Sequence, residues 1–238
     1  MKKQIIDTWG QAQKSCDWRQ VSNFELPAEL FTWLKKACKQ AKQKASKANT
    51  SLVGHIKEEY HLITTPTSGE TVYHIEINKN FIEFLLQCTD STFCREHLNN
   101  IKCLSSSKPL YVHDLWVNYM KKHEFNPPHN HSGALSFVIF VKIPYDLQAE
   151  ENQFTVNNQI TNPSTGKLEK SKSLNFTSKF TFHNTESDGT IHSECLSVDK
   201  SFEGKMLMFP SAQIHEVFPF YTSDNYRITV SGNIRIKV

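Results

Sequence analysis

The second half of the chain is a succession of short segments in which hydrophobic and polar residues alternate, separated by turn-forming residues. This pattern is typical of β-strands with one buried face, and many short strands in a row predict a sandwich or jelly roll. A polar stretch, residues 146–173, is predicted to be a variable loop between strands. The predicted strands are Leu110 to Met120, Leu135 to Ile143, Asn175 to Phe182, Ile191 to Val198, Lys205 to Phe209, Ile214 to Phe218 and Tyr226 to Val238.

The first part of the chain has a mixed pattern that ends at a serine-rich break, residues 105–109. The predicted elements there are helices at Glu29 to Ala48, Asn80 to Cys88 and Thr92 to Leu98, and strands at His61 to Thr65 and Thr71 to Ile77. We therefore divide the chain into an N-terminal α/β support region, 1–108, and a jelly-roll core, 109–238. The predicted fold class is mainly β with flanking helices, a double-stranded β-helix packed by N-terminal α-helices.

The first predicted helix carries six lysines opposite its hydrophobic stripe. A solvated helix face is the simplest interpretation. The alternative is a docking face for an acidic partner or for the phosphate backbone of a nucleic acid, although no aromatic residues alternate with these lysines.

Composition and charge narrow the class of protein. The 238 residues are 38% hydrophobic with a formal net charge of +3, which is enough for a substantial core and too weakly basic to imply nucleic-acid binding by itself. The six cysteines match no zinc-binding spacing. No signal peptide and no apolar run of membrane-spanning length is present, so the sequence predicts a cytoplasmic protein without a membrane partner.

A histidine pair is the strongest chemical signal. His129 and His131 follow two prolines and precede an apolar strand, and residues i and i+2 of an extended chain point to the same side. Two imidazoles aimed at one point predict a metal site, and His215, on a short later strand, is the candidate third ligand. The alternatives are a hydrogen-bonded turn histidine at 129 and a buried structural histidine at 215.

The last predicted strand places Arg227, Thr229 and Ser231 on one face. An arginine inside a β-sandwich is unfavourable unless it has a partner, and a carboxylate ligand bound through two hydrogen bonds is a natural one. The alternative is an ion pair with Glu216 or Asp114.

With a histidine pair, a later histidine and an arginine strand in this order, the chain resembles the 2-oxoglutarate- and Fe(II)-dependent oxygenases. Among them it resembles the prolyl-4-hydroxylase-like proteins that tailed bacteriophages encode. The resemblance covers about Leu110 to Val238, with the region 146–203 poorly matched. The motifs that carry it are Trp116 to Met120, Phe125 to His131, Leu135 to Val138, Phe209 to Ser211 with His215, and Arg227 to Asn233.

The resemblance implies Fe(II) bound by His129 and His215, and 2-oxoglutarate bound through Arg227 with support from Thr229 or Ser231. It implies that decarboxylation of 2-oxoglutarate to succinate is coupled to oxidation of a substrate by O2. His131 stands where most of the superfamily has a carboxylate, so the third ligand is either His131 or an acid such as Asp114.

Two residues of the strand before the histidine pair, Asn118 and Tyr119, are candidates for cofactor contact, whereas core packing is the role expected of Trp116. Two other functions are compatible with the sequence, namely a three-histidine cupin-type dioxygenase without 2-oxoglutarate and a non-enzymatic jelly-roll module. An Arg-x-Thr pair favours the 2-oxoglutarate enzyme. The likeness to prolyl hydroxylases favours a protein or peptide substrate over a nucleobase or a metabolite.

Overall fold

The structure is a computed structural model. It describes residues 21–50, 52–66, 70–101, 109–153, 159–161, 164–170 and 176–237. Residues 105–108 of the serine-rich break lie outside these ranges.

Short strands dominate the described chain. The strands are β1 (Ser22–Glu25), β2 (Glu59–Thr64), β3 (Val72–Tyr73), β4 (Leu110–Met120), β5 (Asn126–His129), β6 (Leu135–Lys142), β7 (Gln159–Thr161), β8 (Leu168–Lys170), β9 (Phe180–Thr185), β10 (Ile191–Leu196), β11 (Lys205–Pro210), β12 (Ile214–Val217) and β13 (Arg227–Ile236). The helices are α1 (Ala28–Lys44), α2 (Lys79–Cys88), α3 (Thr92–Asn100) and α4 (Leu147–Gln153).

Two antiparallel sheets form the framework. The larger sheet has the order β1-β11-β6-β13-β4-β2-β3, and the smaller has the order β10-β9-β12-β5. Non-consecutive neighbours in both sheets are the crossovers expected of a jelly roll. The predicted fold class, mainly β with a jelly-roll core and flanking helices, is confirmed.

Each face of the larger sheet buries its own hydrophobic core. Leu115, Val117 and Tyr119 of β4 point to one side and pack with helices α1, α2 and α3, together with Leu34 and Ala41. The other face packs against the smaller sheet through residues that include Phe140, Phe180 and Phe209. Strand alternation therefore assigns every second residue of β4 either to the helices or to the space between the sheets.

Helix α1 ends at Lys44, four residues before the predicted end. Ala45 is extended, and the following segment pairs with β2 through backbone hydrogen bonds from His61 N to Ser46 O (3.0 Å) and from Ala48 N to Glu59 O (2.8 Å). Pairing with a strand satisfies these backbone groups in place of another helical turn.

The N-terminal strands join the larger sheet. Strand β1 pairs with β11, and β2 pairs with β4, so both edges of this sheet come from the first part of the chain. The division at residues 108 and 109 stays a prediction. Among the described residues, no helix is long and apolar enough to cross a membrane.

The predicted loop 146–173 is not wholly irregular, which corrects our expectation. It contains α4 and a two-stranded ribbon of β7 and β8. Glu150 explains the helix, because its buried carboxylate accepts hydrogen bonds from the backbone N–H groups of Tyr221 (3.0 Å) and Thr222 (2.6 Å). A polar helix held by one buried acid has no hydrophobic periodicity to reveal it.

Candidate active site

The structure brings the three predicted histidines together between the sheets. His129 ends β5, His215 lies directly opposite on β12, and His131 follows two residues after His129. One ring nitrogen from each lies within 4.8 Å of the others. Three convergent imidazoles at this spacing can bind one metal ion.

Local hydrogen bonds fix the orientation of these rings. The Nδ1–H of His129 donates to Pro127 O at 2.7 Å, and the Nδ1–H of His215 donates to Gln213 O at 3.0 Å. Both rings therefore keep Nε2 unprotonated, which is the form that can bind a metal ion. The backbone N–H of His131 donates to Ser211 O at 2.8 Å, and Gly133 turns the chain immediately afterwards with a φ of +132°, which side-chain-bearing residues rarely adopt.

Burial keeps the three imidazoles neutral. Desolvation lowers the pKa of His129, lowers that of His131 to about 4, and lowers that of His215 well below its ordinary value. A neutral imidazole is the form that binds a metal ion. The cluster is therefore ready to bind a cation near neutral pH without first losing protons.

No carboxylate belongs to this cluster in the described part of the chain. The carboxylate of Asp114 lies 3.6 Å from the ring of His113 and accepts a hydrogen bond from the side chain of Asn233 at 3.4 Å. Glu216 points to the opposite face of β12 and pairs with His183 at 2.9 Å. Neither acid pairs with Arg227, so the two predicted alternatives for that arginine are not observed.

Arg227 is buried with an unfilled donor. Its side chain is 1% exposed, Nη1 donates to Ser178 O at 3.1 Å, and Nη2 has no hydrogen-bond partner among the described residues. Arg227 and the three histidines line one cavity. The lining residues are Ile56, Trp116, Asn118, Met120, Asn126, His129, His131, Phe137, Val138, Phe180, Phe209, His215, Val217, Arg227, Thr229 and Ser231.

The wall between the histidines and Arg227 is polar. The side-chain amide of Asn118 donates to Thr229 Oγ1 at 3.2 Å and to Ser231 Oγ at 3.4 Å, while its buried carbonyl oxygen has no partner in the described chain. Asn126 also lines the cavity with a buried carbonyl oxygen that lacks a partner, and the sequence did not single it out. Unfilled acceptors and donors around one cavity indicate a polar ligand.

Successive residues of β4 face opposite sides of the larger sheet, the cavity on one side and the helices on the other. Tyr119 is not brought to the cavity: it packs on the helical side against Tyr60 and Tyr226. Trp116, for which core packing was the expected role, lines the cavity with its ring centroid 5.7 Å from that of His131. The sequence signal for this position was the spacing of Trp116 and Asn118, which are two residues apart and therefore lie on the same face of β4.

Comparison with known proteins decides the family. The family model of 2OG-Fe(II) oxygenases, where 2OG is 2-oxoglutarate, matches residues 114–233, half of the chain and nearly the whole site. The chain belongs to the 2OG-Fe(II) oxygenase family. This oxygenase is therefore an oxidoreductase, and its cofactors are Fe(II) and 2-oxoglutarate.

Solved structures support the fold of the oxygenase. An oxidoreductase of the 2OG-Fe(II) oxygenase family from Burkholderia pseudomallei matches with a TM-score of 0.50 and 11% identity, over 91% of this chain and 84% of that one. A prolyl-4-hydroxylase from Pseudomonas putida matches with a TM-score of 0.50 and 14% identity, over 92% of this chain and 94% of that one. No curated protein matches the sequence.

The residues present fit both cofactors. Nitrogen ligands suit Fe(II), and three of them converge here. A buried guanidinium with a free Nη2 suits a carboxylate, and neighbouring Thr229 and Ser231 offer hydroxyl groups. The departure from the usual set of two histidines and one carboxylate is that no carboxylate of the described residues joins His129 and His215.

Proposed function

We propose that this oxygenase hydroxylates a peptidyl residue and couples that oxidation to decarboxylation of 2-oxoglutarate. The observation that carries the proposal is the joint placement, around a single cavity, of three neutral histidines and one buried arginine whose Nη2 has no partner among the described residues. The cofactor pair, once bound, supplies the oxidising chemistry: O2, 2-oxoglutarate and a substrate C–H bond become CO2, succinate and an alcohol.

Iron binding is assigned to His129, His131 and His215. Their backbone hydrogen bonds direct Nε2 of the two outer rings away from the backbone, and burial holds all three rings in the neutral form. Because no carboxylate of the described residues joins the three imidazoles, a bound Fe(II) would keep its full charge of about +2 until 2-oxoglutarate arrives. We therefore expect 2-oxoglutarate to be held more by electrostatic attraction here than at a site with a carboxylate ligand.

Cofactor binding is assigned to Arg227, Thr229, Ser231 and Asn118. Nη2 of Arg227 has an N–H group to donate to the far carboxylate of 2-oxoglutarate, and the Thr229 hydroxyl lies beside it on the same face of β13. Asn118 bridges Thr229 and Ser231, which fixes the orientation of both hydroxyls. The role of this group is to orient one dicarboxylate with its keto-acid end toward the histidines.

Hydrophobic residues keep the reacting atoms away from water. Phe180 and Phe209 pack against the ring of His215, with centroid distances of 5.6 and 4.8 Å, and Ile56 and Val217 add to the wall. Exclusion of water strengthens the charge interactions of the cofactors.

A peptide substrate is supported by the fold that this chain shares with the Pseudomonas putida prolyl-4-hydroxylase. Trp116 is well placed to contact it, because its ring borders both the cavity and His131. A flat aromatic face next to the metal ligands suits a side chain with exposed C–H bonds, such as a saturated ring.

Anaerobic titration of the Fe(II)-loaded protein with 2-oxoglutarate tests the cofactor assignment. We expect a weak visible charge-transfer band that grows and saturates, followed in air by formation of succinate. Iron that binds without such a band would contradict the assignment of Arg227 and favour a three-histidine dioxygenase. A peptide library is then screened for members that accelerate succinate formation. If only nucleosides or small metabolites accelerate it, the peptide assignment is wrong and the oxygenase assignment stands.

A further inference from the structure

Helix α1 presents a strongly basic surface on the outside of the molecule. Lys35, Lys36, Lys39, Lys44 and Lys47 are all exposed along this helix and the segment that follows it, and we call these five residues the basic face. The opposite side of the helix buries Leu34, Ala37 and Ala41 in the hydrophobic core. The packing of the helix therefore accounts for its apolar stripe and leaves the lysines unexplained.

These lysines have no acidic partners in the described part of the chain. Lys42, which is not part of the basic face, forms an ion pair with Glu58 at 2.6 Å. Lys36 and Lys39, and likewise Lys35 and Lys39, lie one helical turn apart, where like charges repel and destabilise a helix. A face that serves only solubility gains from alternating charge, which is absent here.

The charge of the chain is concentrated in this one stretch. Residues 28–47 contain six lysines and one glutamate, a formal charge of +5, whereas the whole chain carries +3. The remainder of the chain therefore carries a net −2. Such an asymmetry produces a local positive potential that the modest total charge conceals.

The basic face is remote from the cofactor cavity. Helix α1 packs on the side of the larger sheet to which Val117 points, whereas Asn118, its neighbour on β4, points into the cavity. The lysines are therefore not needed to attract 2-oxoglutarate into its site, and the partner that they fit is a separate molecule.

The composition of the face indicates the chemistry of this partner. Lysine and arginine side chains both make the phosphate contacts of DNA-binding proteins, and these contacts carry no sequence information. The aromatic residues of α1, Phe31 and Trp33, are partly buried against the core, and Nζ of Lys35 lies 3.9 Å from the centroid of the Phe31 ring. Neither is a fully exposed ring of the kind that enters a bilayer or stacks on unpaired bases. We propose that the basic face binds the phosphate backbone of double-stranded DNA without reading its sequence.

Salt-dependent binding of the full-length protein to a fluorescent duplex of mixed sequence tests the proposal. If all five lysines contact phosphates, the logarithm of affinity falls with the logarithm of salt concentration with a slope of about −4.5, or about 500-fold between 50 and 200 mM salt. The combined variant Lys36→Ala, Lys39→Ala and Lys44→Ala keeps two of the five lysines. Its affinity for the duplex should fall only about 12-fold over the same range of salt concentration. Alanine favours the helix at least as well as lysine, so the variant should fold.

The matched control is Lys167→Ala combined with Lys237→Ala, which removes two exposed lysines from other surfaces. It should keep the slope of the unmodified protein. The proposal is overturned if the duplex is not bound at about 50 mM salt, or if the three-lysine variant keeps the original slope. It is equally overturned if poly-glutamate or vesicles containing phosphatidylserine bind the basic face more tightly than the duplex does.

Discussion

Arg227 allows a prediction in which stability and affinity change in opposite directions. Arg227 is 1% exposed, and among the described residues its guanidinium donates one hydrogen bond, to Ser178 O. In the variant Arg227→Met, a side chain of similar length fills the same space without charge. The unloaded protein then no longer buries an unpaired cation, and the cofactor loses its ionic partner.

The expected magnitudes follow from these contacts. Removing one member of a buried, hydrogen-bonded charge pair costs about 2–5 kcal/mol, and one donor, Nη2, is free for the ligand. We expect a loss of about 3 kcal/mol in 2-oxoglutarate binding, about 150-fold in Kd. The unloaded protein should gain about 1 kcal/mol in unfolding free energy, because replacing a buried charge with a hydrophobic group is neutral or stabilising, and the lost bond to Ser178 offsets part of the gain.

Three measurements check this prediction. Anaerobic absorbance titration gives the Kd of 2-oxoglutarate, competition with a chelator gives the iron affinity, and urea unfolding without iron gives the stability. The variant Arg235→Met is the control, since it removes a positive charge from the same strand at a residue outside the cavity lining. A 2-oxoglutarate Kd within twofold of the original refutes the reasoning. An equal loss of iron and 2-oxoglutarate affinity shows instead that Arg227 is structural.

Three further predictions concern individual side chains. His131→Ala should lower iron affinity by about 100-fold or more, measured by chelator competition, and His131→Asp should recover most of it because two histidines and a carboxylate suit Fe(II). Asn118→Ala should weaken 2-oxoglutarate binding by about tenfold at unchanged iron affinity, whereas Tyr119→Phe, facing the helices, should change neither. Burial raises the pKa of Glu59 to about 7 from 4.5, so the folded protein holds the proton of this carboxyl group more tightly than the unfolded chain does. The stability that this proton provides is complete below pH 4.5 and is lost as pH rises through 7. Urea unfolding should therefore show Glu59→Gln more stable than the original protein at pH 8, by about 2–3 kcal/mol, and equally stable at pH 4.5.

The sequence predicted the parts of the site that depend on strand alternation. His129 and His131 converge because two prolines keep their segment extended, and the face shared by Arg227, Thr229 and Ser231 follows from the same rule. Alternation also separates Asn118 from Tyr119, but it does not tell which of the two faces the cavity. That choice depends on the packing of the N-terminal helices against the sheet.

Other features depend on contacts between distant parts of the chain. Helix α4 is held by the bonds of Glu150 to residues 71 and 72 positions later, and helix α1 ends early because its next segment pairs with β2. The register that sets His215 opposite His129 is also a long-range property. Local periodicity contains no information about such contacts, so helix α4 was missed and the end of helix α1 was misplaced.

The charges of the site connect its two cofactors. Three neutral imidazoles would leave the charge of a bound Fe(II) uncompensated, and Arg227, which has no acidic partner among the described residues, places a second positive charge at the same cavity. A dicarboxylate of charge −2 bound in this cavity would compensate part of both charges. Each positive group should therefore strengthen the binding of 2-oxoglutarate, and by linkage 2-oxoglutarate should raise the affinity for iron by the same factor. The variant Arg227→Met separates these contributions, because it leaves the metal ligands in place and weakens only the link to the far carboxylate.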